Sequence, residues 1–218
     1  MCYLAEKQVE MSAATFENPL IPNQRLKQLY NAMRDLRSGS KRTRGLEAGI
    51  AATANHLRPQ DTIAASATLA PAVAIVQQSS GNLLPSTLDA AQQFAAVHGA
   101  AFANMHFTPG FVAVLYLDSA LPAGCERFIE MTAKRELPVL YLQLPGHTPH
   151  PSAAKHKIPV IPVDVRDAVA CYRVAQEAFT RARTLHLPTW ISFQQIGDED
   201  SLDAMRGYLK AKGLLARS

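Results

Sequence analysis

Long apolar runs are missing from this sequence: none reaches the roughly 20 residues that a membrane-spanning helix needs. Residues 1–18 mix Glu6, Lys7, Glu10 and Glu17 among their apolar residues, so the N-terminus lacks the basic start and apolar centre of a secretory signal. Cysteine is scarce. Cys2, Cys125 and Cys171 are scattered and form no C-x-x-C pair, which argues against a disulfide framework or a zinc knuckle. A cytoplasmic protein that spans no membrane is the expectation. Charge is sparse too, at 18% of residues and a net +4. The densest basic run is Arg34, Arg37, Lys41, Arg42 and Arg44, with no aromatic interleaved for base stacking, so nucleic acid is not an expected partner. The run reads as a solvated helix end followed by a loop, with contact to a phosphate or an acidic partner as the alternative. Nucleophile and nucleotide signatures are absent as well: no G-x-S-x-G elbow, no G-x-x-x-x-G-K-[ST] and no G-x-G-x-x-G occurs.

What is present is a globular balance. Apolar residues make up 48% of the 218, enough for one sizeable core, so residues 1–22 read as an N-terminal arm and 23–218 as a single domain. Leu26, Leu29, Tyr30, Met33 and Leu36 recur at helical spacing, with Asn23 as N-cap and Ser38-Gly39-Ser40 as the stop. A second, Ala-rich helix is predicted from about Gly45 to His56, ahead of Pro59. Ile63 to Val76 reads as a short strand and a helix, followed by a loop over 79–82. Ser86-Thr87-Leu88-Asp89 resembles a capping box and predicts a helix through about Asn104. Phe111–Leu117, Val139–Leu142, Pro159–Val163 and Thr189–Phe193 read as buried strands. Helices are expected from about Pro122 to Arg135, from Asp167 to Leu185, and from Leu202 to Lys212, the last capped by Gly213. Apolar strands alternating with helices imply an α/β fold, a parallel sheet flanked by helices on both faces.

Several segments carry more than a period. In order they are Arg25–Arg37, rich in Leu, Tyr, Met and Arg; Gly45-Leu46-Glu47-Ala48; Leu57-Arg58-Pro59-Gln60-Asp61; Gly99-Ala100-Ala101; Leu137-Pro138-Val139; Ile158–Asp164 with Asp167 and Tyr172; Leu187-Pro188-Thr189; and Arg206-Gly207-Tyr208-Leu209 running to Lys212-Gly213-Leu214-Leu215. Taken together and in this order, they resemble the alpha subunits of thiamine-diphosphate-dependent 2-oxo acid dehydrogenases, the pyruvate, branched-chain and acetoin enzymes. The resemblance covers most of Asn23 to Leu215 and implies a thiamine-diphosphate-binding-type fold, thiamine diphosphate and Mg²⁺ as cofactors, and an assembly with itself or with a beta-subunit-like partner. The Ala-rich central stretch is expected to permit close helix packing at such an interface.

The family's cofactor residues are largely missing. Its G-D-G turn reads Leu117-Asp118-Ser119 here, so Asp118 is a vestigial metal ligand and the flanking glycines, which leave the phosphates room, are gone. Gly124 matches a downstream family glycine, a vestigial cofactor contact. The N-N pair falls at about Pro145-Gly146 once one deletion is allowed, and proline offers the metal no side-chain oxygen. Thr62–Ala67 lacks the Tyr and Arg that the family places after L-R-P-x-D, and Gln194–Asp200 is short and acidic where the family carries a catalytic His and an Arg. The reading is a shortened, non-catalytic homologue, a pseudoenzyme or structural or regulatory subunit. Two alternatives stand beside it: an active enzyme that oxidises a 2-oxo acid with a lipoyl acceptor and is completed by a partner subunit, and a small-molecule binding module. The bland role for Asp118 is a helix cap or a turn hydrogen bond. His147, His150 and His156 read as an exposed Pro-rich loop, a zinc site being the sharper alternative. His98 and His106 read as structural. Cys125, at a helix start, is either an activated thiolate or a buried, inert side chain.

Overall fold

The computed structural model describes residues 21–39, 43–76, 82–196 and 198–215. Most of the arm predicted over 1–22, Lys41 and Arg42 of the basic run, Ser40, and 79–81 of the predicted loop therefore lie outside the described residues. Six strands and eight helices occur among the described residues. The strands are β1 (Thr62–Ala64), β2 (Asn82–Leu83), β3 (Ala113–Leu117), β4 (Val139–Gln143), β5 (Val160–Asp164) and β6 (Thr189–Gln194). All pair in parallel, in the order β2-β1-β3-β4-β6-β5. Parallel neighbours need a crossover, and helices supply it. The helices are α1 (Asn23–Gly39), α2 (Glu47–Ala54), α3 (Ala70–Val76), α4 (Ala90–Phe107), α5 (Cys125–Lys134), α6 (Pro151–Lys155), α7 (Ala168–Leu185) and α8 (Ser201–Ala211).

Side chains alternate across the sheet, as the pleat requires. Val114 and Tyr116 of β3, Leu140 and Leu142 of β4, and Ile191 and Phe193 of β6 pack with α1, α2, α3, α7 and α8. Their chain neighbours Ala113, Leu115 and Leu117, Val139 and Tyr141, and Trp190 pack with α4, α5 and α6 on the other face. Both faces are thus covered, which explains why the central strands are mostly apolar. The edge strand β5 carries Pro162, whose ring cannot donate to a further strand and so blunts that edge.

The five-helix face is built around α2, all eight residues of which are buried. Gly49 permits this close seat: a Cβ there would lie 2.9 Å from Val165 Cγ2 and 3.2 Å from Phe193 Cε1. Burial forces Glu47, at the start of α2, to find partners. Arg37 Nε donates to its Oε1, the Gly45 N–H to Oε2 at 2.8 Å, and the Ser201 hydroxyl to Oε2 at 3.2 Å. Arg37 also bonds Asp200 through two nitrogens, and Asp200 caps α8 through the amides of Leu202 and Asp203. One ionic knot thus joins α1, α2 and α8. Asp61 does the same at the opposite, N-terminal edge of the sheet. It accepts from the amides of Arg58 and Val112 and from Arg183 of α7, which also bonds the His56 carbonyl.

Several boundaries differ from those predicted. Asp89, not Ser86, caps α4, with Gln92 completing the reciprocal box. Asn23 lies inside α1 and its buried Oδ1 caps nothing. The helix predicted from Pro122 begins at Cys125, after Gly124. The Ala-rich stretch is mostly internal: Ala64, Ala65, Ala70 and Ala72 are buried, so they pack the core instead of a subunit interface. Among the described residues no helix is long and apolar enough to cross a membrane.

On the other face, His98 is fully buried between Phe94 and Tyr141. Its Nδ1 lies 2.6 Å from the Phe94 carbonyl and so carries the hydrogen, and its Nε2 lies 2.7 Å from the hydroxyl of Tyr141, which also bonds Thr132 Oγ1 at 3.1 Å. Burial depresses its pKa from 6.5 to about 4, and burial does the same to His56. The histidine reading is thus structural for His98.

Two outcomes follow. Arg37→Met leaves Glu47 buried without its cation and should cost about 3–5 kcal/mol in urea unfolding, with Glu47→Gln added to it recovering much of the loss. For His98 the unfolded chain binds a proton that the folded chain refuses, so stability is full above about pH 6.5 and falls as pH drops toward 4, by roughly 3 kcal/mol for this one residue. Urea midpoints across that window should show the slope, and His98→Gln should flatten it by about one proton.

Candidate functional site

From β1 the chain turns to β2 on one side, and from β3 it turns to β4 on the other. The C-terminal ends of β1 and β3 therefore flank a topological switch point, the usual ligand position in an open α/β sheet. Ser66 follows β1 and Asp118 follows β3. The Ser66 hydroxyl donates to Asp118 Oδ2 and bridges the gap. The Ser66 backbone also starts α3, its carbonyl accepting from Ala70 N–H at 2.8 Å. His147 Nε2 donates to the Asp118 carbonyl at 3.1 Å. The carboxylate of Asp118 thus makes a side-chain bond across the sheet ends. It does not cap α5, where Gly124 is the N-cap and no side chain bonds. Gly124 is exposed at φ +82°, with open space where a Cβ would stand, so its role is conformational.

Two clefts lie at this edge. The inner one, about 170 Å³, is lined by Ser66, Ser86, Gln93, Phe94, Leu117 and Asp118. The second, about 340 Å³, lies beyond the ends of β3 and β4 and is lined by Ser119, Leu121, Gln143, His147, Thr148 and His150. Among the described residues neither is lined by a lysine or an arginine. His150 was expected in a loop. Instead it caps the short helix α6, its Nδ1 accepting from Ser152 N–H at 3.2 Å, with Pro151 at the first helical position. His156 closes the same helix. Among the described residues no group of three His, Cys, Asp or Glu is placed to hold a metal ion. Cys125 is buried, and burial pushes its thiol up, away from an activated thiolate. His106 sits in the last turn of α4, exposed, against Phe102. A larger cleft of about 440 Å³ beside α7 and α8 is lined by Asp164, Arg166, Asp167, Glu199, Met205 and Tyr208. There Arg166 is bound by Asp164, and Asp167 caps α7.

Gln143 is the residue that sequence reasoning passed over. It closes β4, one residue beyond the predicted strand, and is 2% exposed. It shares a face with Tyr141, and its Oε1 has no partner among the described residues. The available signal was a lone amide at the end of an apolar run.

Neither a family model nor a curated protein matches the chain.

The residues at this edge do not fit a magnesium-bridged diphosphate. Such a group needs several oxygen ligands and positive charge for its phosphates. Asp118 already accepts from Ser66, the loop after β4 offers Pro145 and Gly146, and among the described residues no lysine or arginine lines either cleft.

The Ser66–Asp118 bond should act as a joint between β1 and β3. Ser66→Ala and Asp118→Asn should each cost about 1–2 kcal/mol in urea unfolding. The double variant should fall short of the sum by about 1 kcal/mol, and strict additivity would show that the bond carries no energy.

Proposed function

We propose that this chain is a non-catalytic relative of the alpha subunit of thiamine-diphosphate-dependent 2-oxo acid dehydrogenases, a cytoplasmic structural or regulatory subunit. It works as a homodimer or beside a beta-subunit-like partner. The observation that carries the reading is the C-terminal edge of β3 and β4, where among the described residues no lysine or arginine lines the clefts and Asp118 is held by Ser66. Further support comes from the family-like segments themselves. Glu47 of Gly45–Ala48 and Asp61 of Leu57–Asp61 are both buried carboxylates that tie helices to the fold. The residues that match the family are thus framework residues, and the cofactor positions are the ones that depart from it. An active enzyme would need its metal ligands and phosphate contacts from a partner chain.

Calorimetric titration with thiamine diphosphate and Mg²⁺ tests this, with the chain alone and with any beta-like subunit encoded beside it. No saturable heat is expected in either case. Saturable, metal-dependent binding would overturn the reading. Sedimentation of the same samples tests assembly, and a monomer in both would remove the subunit role.

A further inference from the structure

The inner cleft, at the ends of β1 and β3, presents acceptors that the fold leaves open. Gln93 of α4 is one of its lining residues and is only 5% exposed. Its Nε2 donates to the Ala65 carbonyl at 3.1 Å and to the Leu88 carbonyl at 3.2 Å. Carbonyls only accept, so these two bonds fix which end of the carboxamide is the nitrogen. Leu88 and Ser66, the residue after Ala65, both line the cleft, so the carboxamide lies between two of its walls. The oxygen is the end left over. It accepts no hydrogen bond among the described residues, and it is not one of the sealed, unpaired atoms of the core, so the little surface that Gln93 keeps includes Oε1. Asp118 offers the second acceptor. Ser66 takes its Oδ2 and His147 bonds its backbone carbonyl, while Oδ1 is neither bonded among the described residues nor sealed. Glu47 and Asp61 each meet an arginine, whereas Asp118 meets no cation among the described residues.

We infer that the inner cleft binds a small primary amine in its ammonium form, its N–H groups shared between Asp118 Oδ1 and Gln93 Oε1. An ammonium is charged and can only donate, which is the complement of a carboxylate beside an amide oxygen. An anion is excluded by charge: among the described residues the lining holds one carboxylate and no lysine, arginine or histidine. A divalent cation fits poorly, since it needs about six oxygen ligands and Asp118 is the one carboxylate of the described lining. Leu88, Leu121 and Pro122 are half-buried and give the cleft apolar sides for a short aliphatic tail. The volume, about 170 Å³, is below the roughly 300–1,000 Å³ of drug-sized sites and limits the ligand to a compact amine. The cleft stands at the switch point of the sheet, where open α/β folds place their ligands. Descent from a cofactor enzyme is not required for this site, which is built from the chain's own residues.

The test uses isobutylammonium as the probe. Its controls are isobutanol, an uncharged isostere; tetramethylammonium, a cation without N–H groups; and Mg²⁺. Binding is read by ¹⁵N-resolved NMR of the intact chain. Isobutylammonium should shift the Gln93 side-chain NH₂ and the Asp118 and Ser119 amides saturably. It should bind at least about tenfold more tightly than each control, the scale of one hydrogen bond to a charged group. Asp118→Asn should abolish the preference for the ammonium over the alcohol and leave the weak affinity for the alcohol unchanged, a selective loss that a merely structural role would not give. Absence of saturable shifts at millimolar probe, equal affinity for isobutanol or tetramethylammonium, saturable Mg²⁺ shifts at the same signals, or an Asp118→Asn protein that keeps the preference would each overturn the proposal. Should that variant not fold, the wild-type preference and the Gln93 NH₂ shifts decide alone.

Discussion

Glu47 has no solvent exposure, and a carboxylate in that position is tolerable only with a cation and hydrogen-bond donors around it. The helical face of the molecule is arranged to meet that requirement. Arg37 comes from the end of α1, the Gly45 amide from the turn before α2, and Ser201 and Asp200 from the start of α8. Segments more than 150 positions apart in sequence therefore meet at one charge. Since α2 is buried on every side, its seat against β6 fixes where α1, α7 and α8 can lie. The hydrogen bond that Arg37 donates to Glu47 also raises the Arg37 pKa above its ordinary value, so the guanidinium stays charged.

Asp61 repeats the device at the N-terminal edge of the sheet. It is fully buried, accepts from two backbone amides, and anchors Arg183 near the end of α7. Arg183 in turn lies over the Phe179 ring at 4.9 Å and bonds the His56 carbonyl.

Sequence patterns carried the layering well, because their physical cause is local. An apolar run of five or six residues bounded by Pro or Gly has one stable use in an alternating chain, a strand covered on both faces, and Ala113–Leu117, Val139–Gln143 and Thr189–Gln194 are such strands. Caps were less legible. Ser86 and Asp89 both satisfy the capping pattern, and only the position of Phe94 and Val97 against the sheet selects Asp89. The two-residue strand β2 has no local signature at all, since it exists through its pairing with Thr62 and Ile63. Asp118 was visible as a candidate, but its bond to Ser66 was not, because the two are 52 positions apart and meet only through strand order. Gln143 was invisible for a related reason. A polar residue at the end of an apolar run reads as the point where a strand reaches water, and here it is buried.

The two edges of the sheet both pair their carboxylates and both leave buried polar atoms without a partner, Arg183 Nε and Thr189 Oγ1 at one and Gln143 Oε1 at the other. At the N-terminal edge Asp61 has every bond it needs. At the C-terminal edge Ser66 and Asp118 answer each other while Gln143 is left without a partner. Defects in polar pairing are few in stable proteins and gather where function opposes stability.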